Sequence, residues 1–276
     1  MNFFWNNYLP DPVIFELGPV SIRWYGLLLV TAIVVAAWDV RQQLLKKSKL
    51  TSHQIEDLFF YTIILSLIGA RFGHVIFFNF SYYWNYPGEI IQIWNGGLSI
   101  QGALLFGLIT VLVWSKKYNL SFWKLADVMV PAVALGQVIG RWGNYFNQEL
   151  FGKPTTGWWG IPIEASNKVV GFTKDTYFQP TFFYESILNF VLFFTLHKLL
   201  QKKLKTGTIV LSYFAGYAVI RILMEFIRID DTPVVWGIRL PQLISMAIIL
   251  AVLASIYILY AKPLPKTKKS CIIVVF

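Results

Sequence analysis

Tyr217, Arg221, Glu225 and Arg228 sit in one apolar stretch at i, i+4, i+8 and i+11, which is a single helical face. Arg221 and Glu225 are spaced to pair, which would hold the guanidinium extended and reduce its desolvation cost. A second group trails another apolar run, with Arg141, Asn144 and Gln148 on one face and Arg141, Tyr145 and Glu149 on the neighbouring row. Tyr184 and Glu185 open a third run, Arg23 and Tyr25 a fourth; Arg71 and His74 lie in a fifth, and Gln101 near the start of a sixth. A charge deep in a membrane span costs about 2.5–3.5 kcal/mol on insertion scales, so such groups face a bundle interior or a cavity. Taken singly, each reads equally well as a paired ion joining two helices. As a set they do not, because helix glue has no reason to collect in one leaflet. Three or four arginines with partial carboxylate compensation imply an anionic ligand. Arginine forks match phosphate oxygens and stay charged where water is scarce, and a cavity reached from lipid suggests a phospholipid headgroup. Gly136 and Gly140 form a small-xxx-small pair, read as helix packing above all at Gly136, while Gly143 is read as clearance for the headgroup.

These residues need membrane helices to position them, and the composition supplies them. Of 276 residues, 56% are apolar and 14% charged, with a mean hydropathy of +0.57; a soluble domain has roughly 25% charged residues. An ordinary soluble enzyme, a disordered chain and a disulfide scaffold are disfavoured. The single Cys271 excludes an internal disulfide and a cysteine-cluster metal site. Apolar runs at about 21–40, 58–79, 97–115, 122–140, 181–200, 207–227 and 240–261 are each long enough to cross the hydrocarbon. No strand-period alternation persists, which argues against a barrel. The expected fold is all-α: a polytopic integral membrane protein of seven transmembrane helices, with a polar chamber open to the outer half of the bilayer. Residues 1–262 are expected to form one membrane domain with an outer loop at about 152–180, and 263–276 a basic cytoplasmic tail.

The net charge of +10 would suggest nucleic acid in a soluble protein. Here 15 of the 24 basic residues fall on one side of the spans, in the first, third and fifth connections and the tail. The positive-inside rule then places the N-terminus outside and the C-terminus in the cytoplasm, and removes nucleic acid as a partner. Residues 1–15 carry no basic residue and are not expected to be a cleaved signal. Trp158 and Trp159 suit the headgroup layer, Asp39 and Asp127 look like ordinary boundary residues, and Cys271 reads as an idle cytosolic thiol.

The stretch Gly136-Gln-Val-Ile-Gly-Arg-Trp-Gly-Asn-Tyr-Phe-Asn-Gln-Glu-Leu-Phe-Gly152 resembles the signature of prolipoprotein diacylglyceryl transferases. Supporting segments follow in that family's order: Arg23-Trp-Tyr-Gly26, Gly69-Ala-Arg71, Asn95-Gly-Gly-Leu98, Gln179 to Glu185, and Gly216 to Arg221 with Glu225-Phe-Ile-Arg228. The resemblance covers about residues 20–250. It implies seven spans with the N-terminus outside, in the bacterial cytoplasmic (inner) membrane, and the first step of lipoprotein maturation. The sn-1,2-diacylglyceryl group of phosphatidylglycerol passes to the lipobox cysteine of a prolipoprotein signal peptide, giving a thioether and glycerol phosphate. No metal or organic cofactor is expected; of the histidines, only His74 lies at the chamber.

By motif position, Arg141, Asn144, Glu149 and Gly152 match the signature's functional residues, and Tyr25, Tyr217, Arg221 and Glu225 match other positions at or near the active site. Arg141, Arg221, Glu149, Tyr25 and Gln101 are the catalytic candidates; Arg141, Asn144, Gly143, Gly152, Tyr217, Glu225 and Arg71 are those for phosphatidylglycerol. Gln101 departs from the pattern, since many relatives have a histidine there, often discussed as the thiol's base. An amide cannot take up a proton in that way, which leaves arginine fields lowering the thiol pKa, or Glu149, Glu185 or His74 as base. Two other classes compete: a transporter or flippase for an anionic solute or lipid, favoured by broken helices or charges reaching the inner side, and an intramembrane hydrolase using Ser99 with His74.

Overall fold

The computed structural model describes residues 8–18 and 20–261; the tail 263–276, with Cys271 and its lysines, lies outside the described residues. Among these are seven helices long and apolar enough to cross a membrane. They are α1 (Trp24–Lys47), α2 (Ser52–Phe77), α4 (Ile100–Lys117), α5 (Phe122–Phe146), α6 (Thr181–Leu200), α7 (Thr208–Glu225) and α8 (Leu240–Ala261), with a short α3 (Phe80–Asn85) after α2. The chain is a polytopic helical membrane protein, as its hydropathy requires. Phe60, Leu104, Val191 and Leu250 stand exposed on their helices, a surface that hydrocarbon solvates and water does not.

Helix ends differ from the apolar runs because helical geometry continues into polar flanks. α1 runs on to Lys46 and Lys47, which meet the negative end of its dipole. α2 begins at Ser52 because Thr51 and Gln54 form a reciprocal capping box. Three two-stranded antiparallel pairs among the described residues were not expected: β1 (Val13–Leu17) with β2 (Val20–Arg23), β3 (Ile161–Pro162) with β4 (Tyr177–Phe178), and β5 (Val234–Val235) with β6 (Ile238–Arg239). Strands of two to five residues are too short for alternation to stand out.

The described chain forms two compact units, one of residues 8–40 with 126–261, the other of residues 41–125. In the second, α2 and α4 pack backbone to backbone through glycines. A Cβ on Gly102 would overlap the Gly69 carbonyl, and one on Gly73 would come within 3.0 Å of the Gly102 Cα. Small residues are what permit that approach. The packing role expected of Gly136 and Gly140 is not found among the described residues, where a Cβ on either meets nothing within 4 Å.

In the first unit Ala134, Leu192, Leu196, Ile209, Tyr213, Ile220 and Met224 join α5, α6 and α7 in one core. Asp127 proves to be more than a boundary residue. From α5 its carboxylate accepts the Gly207 N–H at 2.6 Å and the Ile209 and Val210 N–H groups at 3.0 Å, capping the start of α7 across the bundle. In the 152–180 connection, Ile161, Ile163 and Phe178 pack with Tyr145 of α5, Phe151 and Phe182 of α6 in one apolar cluster.

Candidate active site

α5 ends at Phe146, so the two helical rows extrapolated to Gln148 and Glu149 stop short of them. The chain instead turns sharply, with Gln148 at φ 53° and Leu150 at φ 59°, both left-handed and neither glycine. Such residues cost about 1–2 kcal/mol each and persist only when their surroundings over-determine them. The surroundings do so here. Gln148 donates its amide to the Pro10 carbonyl at 2.8 Å and accepts the Glu164 N–H at 2.7 Å, and the Thr181 hydroxyl donates to the Leu150 carbonyl. The turn sends Glu149 back onto the helix it has just left, where it accepts from Asn144 Nδ2 at 2.8 Å and Asn147 Nδ2 at 3.4 Å. Asn144 in turn accepts from Arg141 Nη1 at 3.4 Å.

From Arg141 a ladder of alternating charge runs through the first unit. Arg141 Nε lies 2.5 Å from Glu185 Oε2, and the other oxygen of Glu185 is 3.3 Å from Arg228 Nη1. Arg228 Nε meets Asp230 at 2.7 Å, and the second Asp230 oxygen lies 3.9 Å from Arg239 Nη2. Arg239 Nε is 2.7 Å from Glu225 Oε1, whose other oxygen is 3.0 Å from Arg221 Nη2. The pairing of Arg221 with Glu225 is as the spacing required; Arg228 lies past the end of α7 and turns to Glu185 instead.

Position along this ladder separates the four arginines. Arg228 and Arg239 in the middle each bridge two carboxylates, whatever their exposure (3% for the Arg228 side chain, 22% for that of Arg239). Arg141 and Arg221 at the ends each have one carboxylate and are 16% and 19% exposed. Their remaining N–H groups, on Arg141 Nη2 and on Arg221 Nε and Nη1, have no partner among the described residues. An anion therefore has two guanidinium edges to bind, each already oriented by a carboxylate.

Asp230 and Arg228, outside the spans, show how tightly the middle is held. Burial pushes the Asp230 carboxyl up, but the Arg228 hydrogen bond and the charges of Arg228 and Arg239 outweigh it and hold it below the usual carboxylate range. Burial likewise favours neutral Arg228, and Asp230, with Glu185 and Glu225, outweighs that and raises its pKa.

The other expected residues take distinct places. The Tyr25 ring fills the space beside Gly143, where a Cβ would come within 2.7 Å of Cδ2. Clearance at Gly143 is thus for Tyr25, which it brings beside α5 two residues after Arg141. Tyr217, one turn before Arg221, stacks on Tyr213 with ring centroids 6.0 Å apart. Gly152 is a backbone crossing. Its N–H donates to the Gln179 carbonyl, Lys153 N–H donates to the Ile227 carbonyl, and a Cβ would press on Ile227, Gln179 and Thr181.

Arg71, His74, Ser99 and Gln101 belong to the second unit. Arg71 is buried, and four carbonyls hold it: Ile90 at 2.7 Å, Glu89 at 2.7 Å, Gly96 at 2.7 Å and Gly97 at 3.0 Å. Its guanidinium also lies over the Tyr83 ring. It fixes the connection after α3 and has one N–H left for anything else. The exposed Gln101 accepts from the Ser99 hydroxyl at 2.8 Å, and His74 Nε2 lies 3.0 Å from Asn79 Nδ2. Ser99 and His74 are therefore each engaged elsewhere, not with one another.

The model of the family described as prolipoprotein diacylglyceryl transferase matches residues 12–258, nearly the whole described chain. The chain belongs to that family. Among similar proteins are the phosphatidylglycerol–prolipoprotein diacylglyceryl transferases of Synechocystis sp., 38% identical over 264 residues (94% of this chain, 92% of that protein), and of Trichormus variabilis, 37% identical over 269 residues (95% and 94%). That of Lactobacillus acidophilus is 37% identical over 245 residues, 87% of each chain. This diacylglyceryl transferase is accordingly a multi-pass membrane enzyme of lipoprotein biosynthesis. Asp230 and Arg239 of the transferase's ladder escaped the sequence reading. The available signal was a basic residue, Arg239, at the end of the last span where charge bias leaves few.

Proposed function

We propose that Arg141 and Arg221 grip the phosphodiester of phosphatidylglycerol while the lipobox cysteine of a prolipoprotein displaces it. The enzyme transfers the sn-1,2-diacylglyceryl group. Sulfur attacks the glyceryl CH₂ bonded to phosphate, a C–S bond forms, and the C–O electron pair leaves with glycerol phosphate. The nucleophile belongs to the substrate, so no enzyme cysteine or serine is needed. The enzyme must stabilise negative charge growing on the departing phosphate, a preorganised electrostatic effect worth about 3–4 kcal/mol per donor. Holding thiol and carbon in line contributes up to about 7–11 kcal/mol where the geometry is tight.

Glu185 and Glu225 aim the two arginines, Asn144 links Arg141 to Glu149, and Tyr25 orients the headgroup from beside Gly143. Guanidinium fields draw the thiol, ordinarily near pKa ~8.5, toward thiolate. Glu149 is exposed while Glu185 is enclosed by two arginines, so Glu149 is the carboxylate placed to receive the proton. Gln101 contributes a hydrogen bond, not a base, and Gly152 and Arg71 act through the backbone they hold. The N-terminus is outside, and the site opens toward the outer leaflet of the bacterial cytoplasmic membrane.

The observation that carries this reading is the pair of unshared guanidinium edges at the two ends of an otherwise closed ladder. Arg141→Lys is expected to insert normally yet lose most transfer, since a point charge cannot replace the fork. Transfer is measured from glyceryl-labelled phosphatidylglycerol in vesicles to a lipobox peptide, with a Cys→Ser peptide as control. Undiminished turnover by folded Arg141→Ala protein would refute the phosphate role.

A further inference from the structure

Arg239 lies outside the signature, in a hairpin just before the last span. The hairpin closes on Trp236 and Gly237, at φ 53° and 78°, the two positive values of a type I′ turn. That turn pairs Arg239 with Val234 and turns its side chain to Glu225. Every nitrogen of the guanidinium is engaged. Nη1 donates to the Arg228 carbonyl at 2.6 Å, Nη2 to the Asp230 carbonyl at 2.5 Å, and Nε to Thr232 Oγ1 at 2.8 Å while lying 2.7 Å from Glu225 Oε1. Arg239 is therefore occupied and does not present a free edge to a ligand.

Its effect falls on Glu225, whose side chain is fully buried. A buried carboxylate must be matched by charge, and with Arg221 as its sole partner Glu225 would draw that guanidinium inward with both oxygens. Arg239 pairs by charge with one oxygen and Arg221 Nη2 with the other, neither oxygen accepting a hydrogen bond among the described residues, so Arg221 keeps Nε and Nη1 free.

We propose that Arg239 is a positioning residue: by occupying one oxygen of Glu225, it sets the guanidinium edge that Arg221 offers the phosphate. The proposal rests on the reading that Arg221 meets that phosphate. It predicts that Arg239 acts on turnover through Glu225, beyond bracing the 226–239 segment.

The test is a double-mutant cycle on the full-length protein in phosphatidylglycerol vesicles. Arg239→Gln is expected to lower kcat about tenfold with an unchanged KM for the lipobox peptide, as pairs in direct contact couple strongly. In a Glu225→Gln background the same change is expected to cost less than about twofold, because the carboxylate it acts on is gone. Arg239→Lys, which keeps the charge facing Glu225 but not the fork onto the carbonyls, is expected to restore most of kcat. Wild-type kcat in Arg239→Gln overturns the proposal. So do losses that multiply across the cycle, or Arg239→Lys as impaired as Arg239→Gln, which would assign Arg239 to folding alone. If Arg239→Gln does not accumulate in the membrane, the cycle is run with Arg239→Met and Arg239→Lys on the same terms, and failure of both to accumulate also assigns it to folding. Unchanged kcat in Arg221→Gln would sink the phosphate reading itself, a result separate from the cycle.

Discussion

Asp230 stands where the ladder crosses from Arg228 to Arg239, and its depressed pKa ties the ladder to acidity. A group whose folded pKa lies below its unfolded value contributes stability above the unfolded pKa, about 3.9 for aspartate, and loses it as pH falls through the folded value. Asp230→Asn removes this contribution. The variant is expected to unfold more readily than wild type near pH ~7 in detergent, and the gap is expected to narrow below pH ~4. A gap constant across that range would show that the charge of Asp230 contributes no stability. Residue types at the candidate site could be singled out because arginine and glutamate in an apolar run are expensive and stand out. Asp230 and Arg239 were not, because they lie in a polar connection where charge is unremarkable.

At the level of elements, one helix that looks self-sufficient depends on another. α7 begins at Thr208 with no side-chain cap of its own, and Gly207 before it is left-handed at φ 90°. Three of its first N–H groups are satisfied by Asp127 of α5. Asp127→Ala leaves them facing the bundle and is expected to destabilise the protein by about 2–4 kcal/mol, from charge-assisted hydrogen bonds of about 1.5–3 kcal/mol each, partly replaced by water. Thermal unfolding in detergent measures this, and an unaltered midpoint would show that the cap is dispensable. Asp127→Asn is expected to fall between. Helix number and order were legible from hydropathy. The α7 cap was not, because its two halves are some eighty residues apart. Gly136 and Gly143 were misread for a related reason: a glycine marks a lack of side chain but not what occupies the space.

For the whole molecule, 15 of the 24 basic residues fall in the first, third and fifth connections and the tail, and the orientation argument rests on them. In a Cys271→Ser background, a Ser166→Cys variant is expected to react with a membrane-impermeant maleimide in intact cells. A Lys203→Cys variant is expected to react only after permeabilisation. Both positions are exposed. The reverse pattern would invert the chain, put the arginine ladder on the cytoplasmic side and sink the outer-leaflet reading.

By itself the sequence determined the solvent, the number of crossings, the family and which residue types to propose for the site, since transfer energies and a long irregular motif are properties of the linear chain. Only the tertiary structure decided which arginines keep a free edge and which are consumed as braces, because that depends on how many carboxylates each reaches in space. It also decided that Gly143 makes room for Tyr25, that Arg71 is held by four carbonyls, and that Glu149 folds back onto Asn144. The physical reason is the same in each case: a contact or hydrogen bond is fixed by angles and distances between groups that sequence spacing does not constrain beyond a single helix.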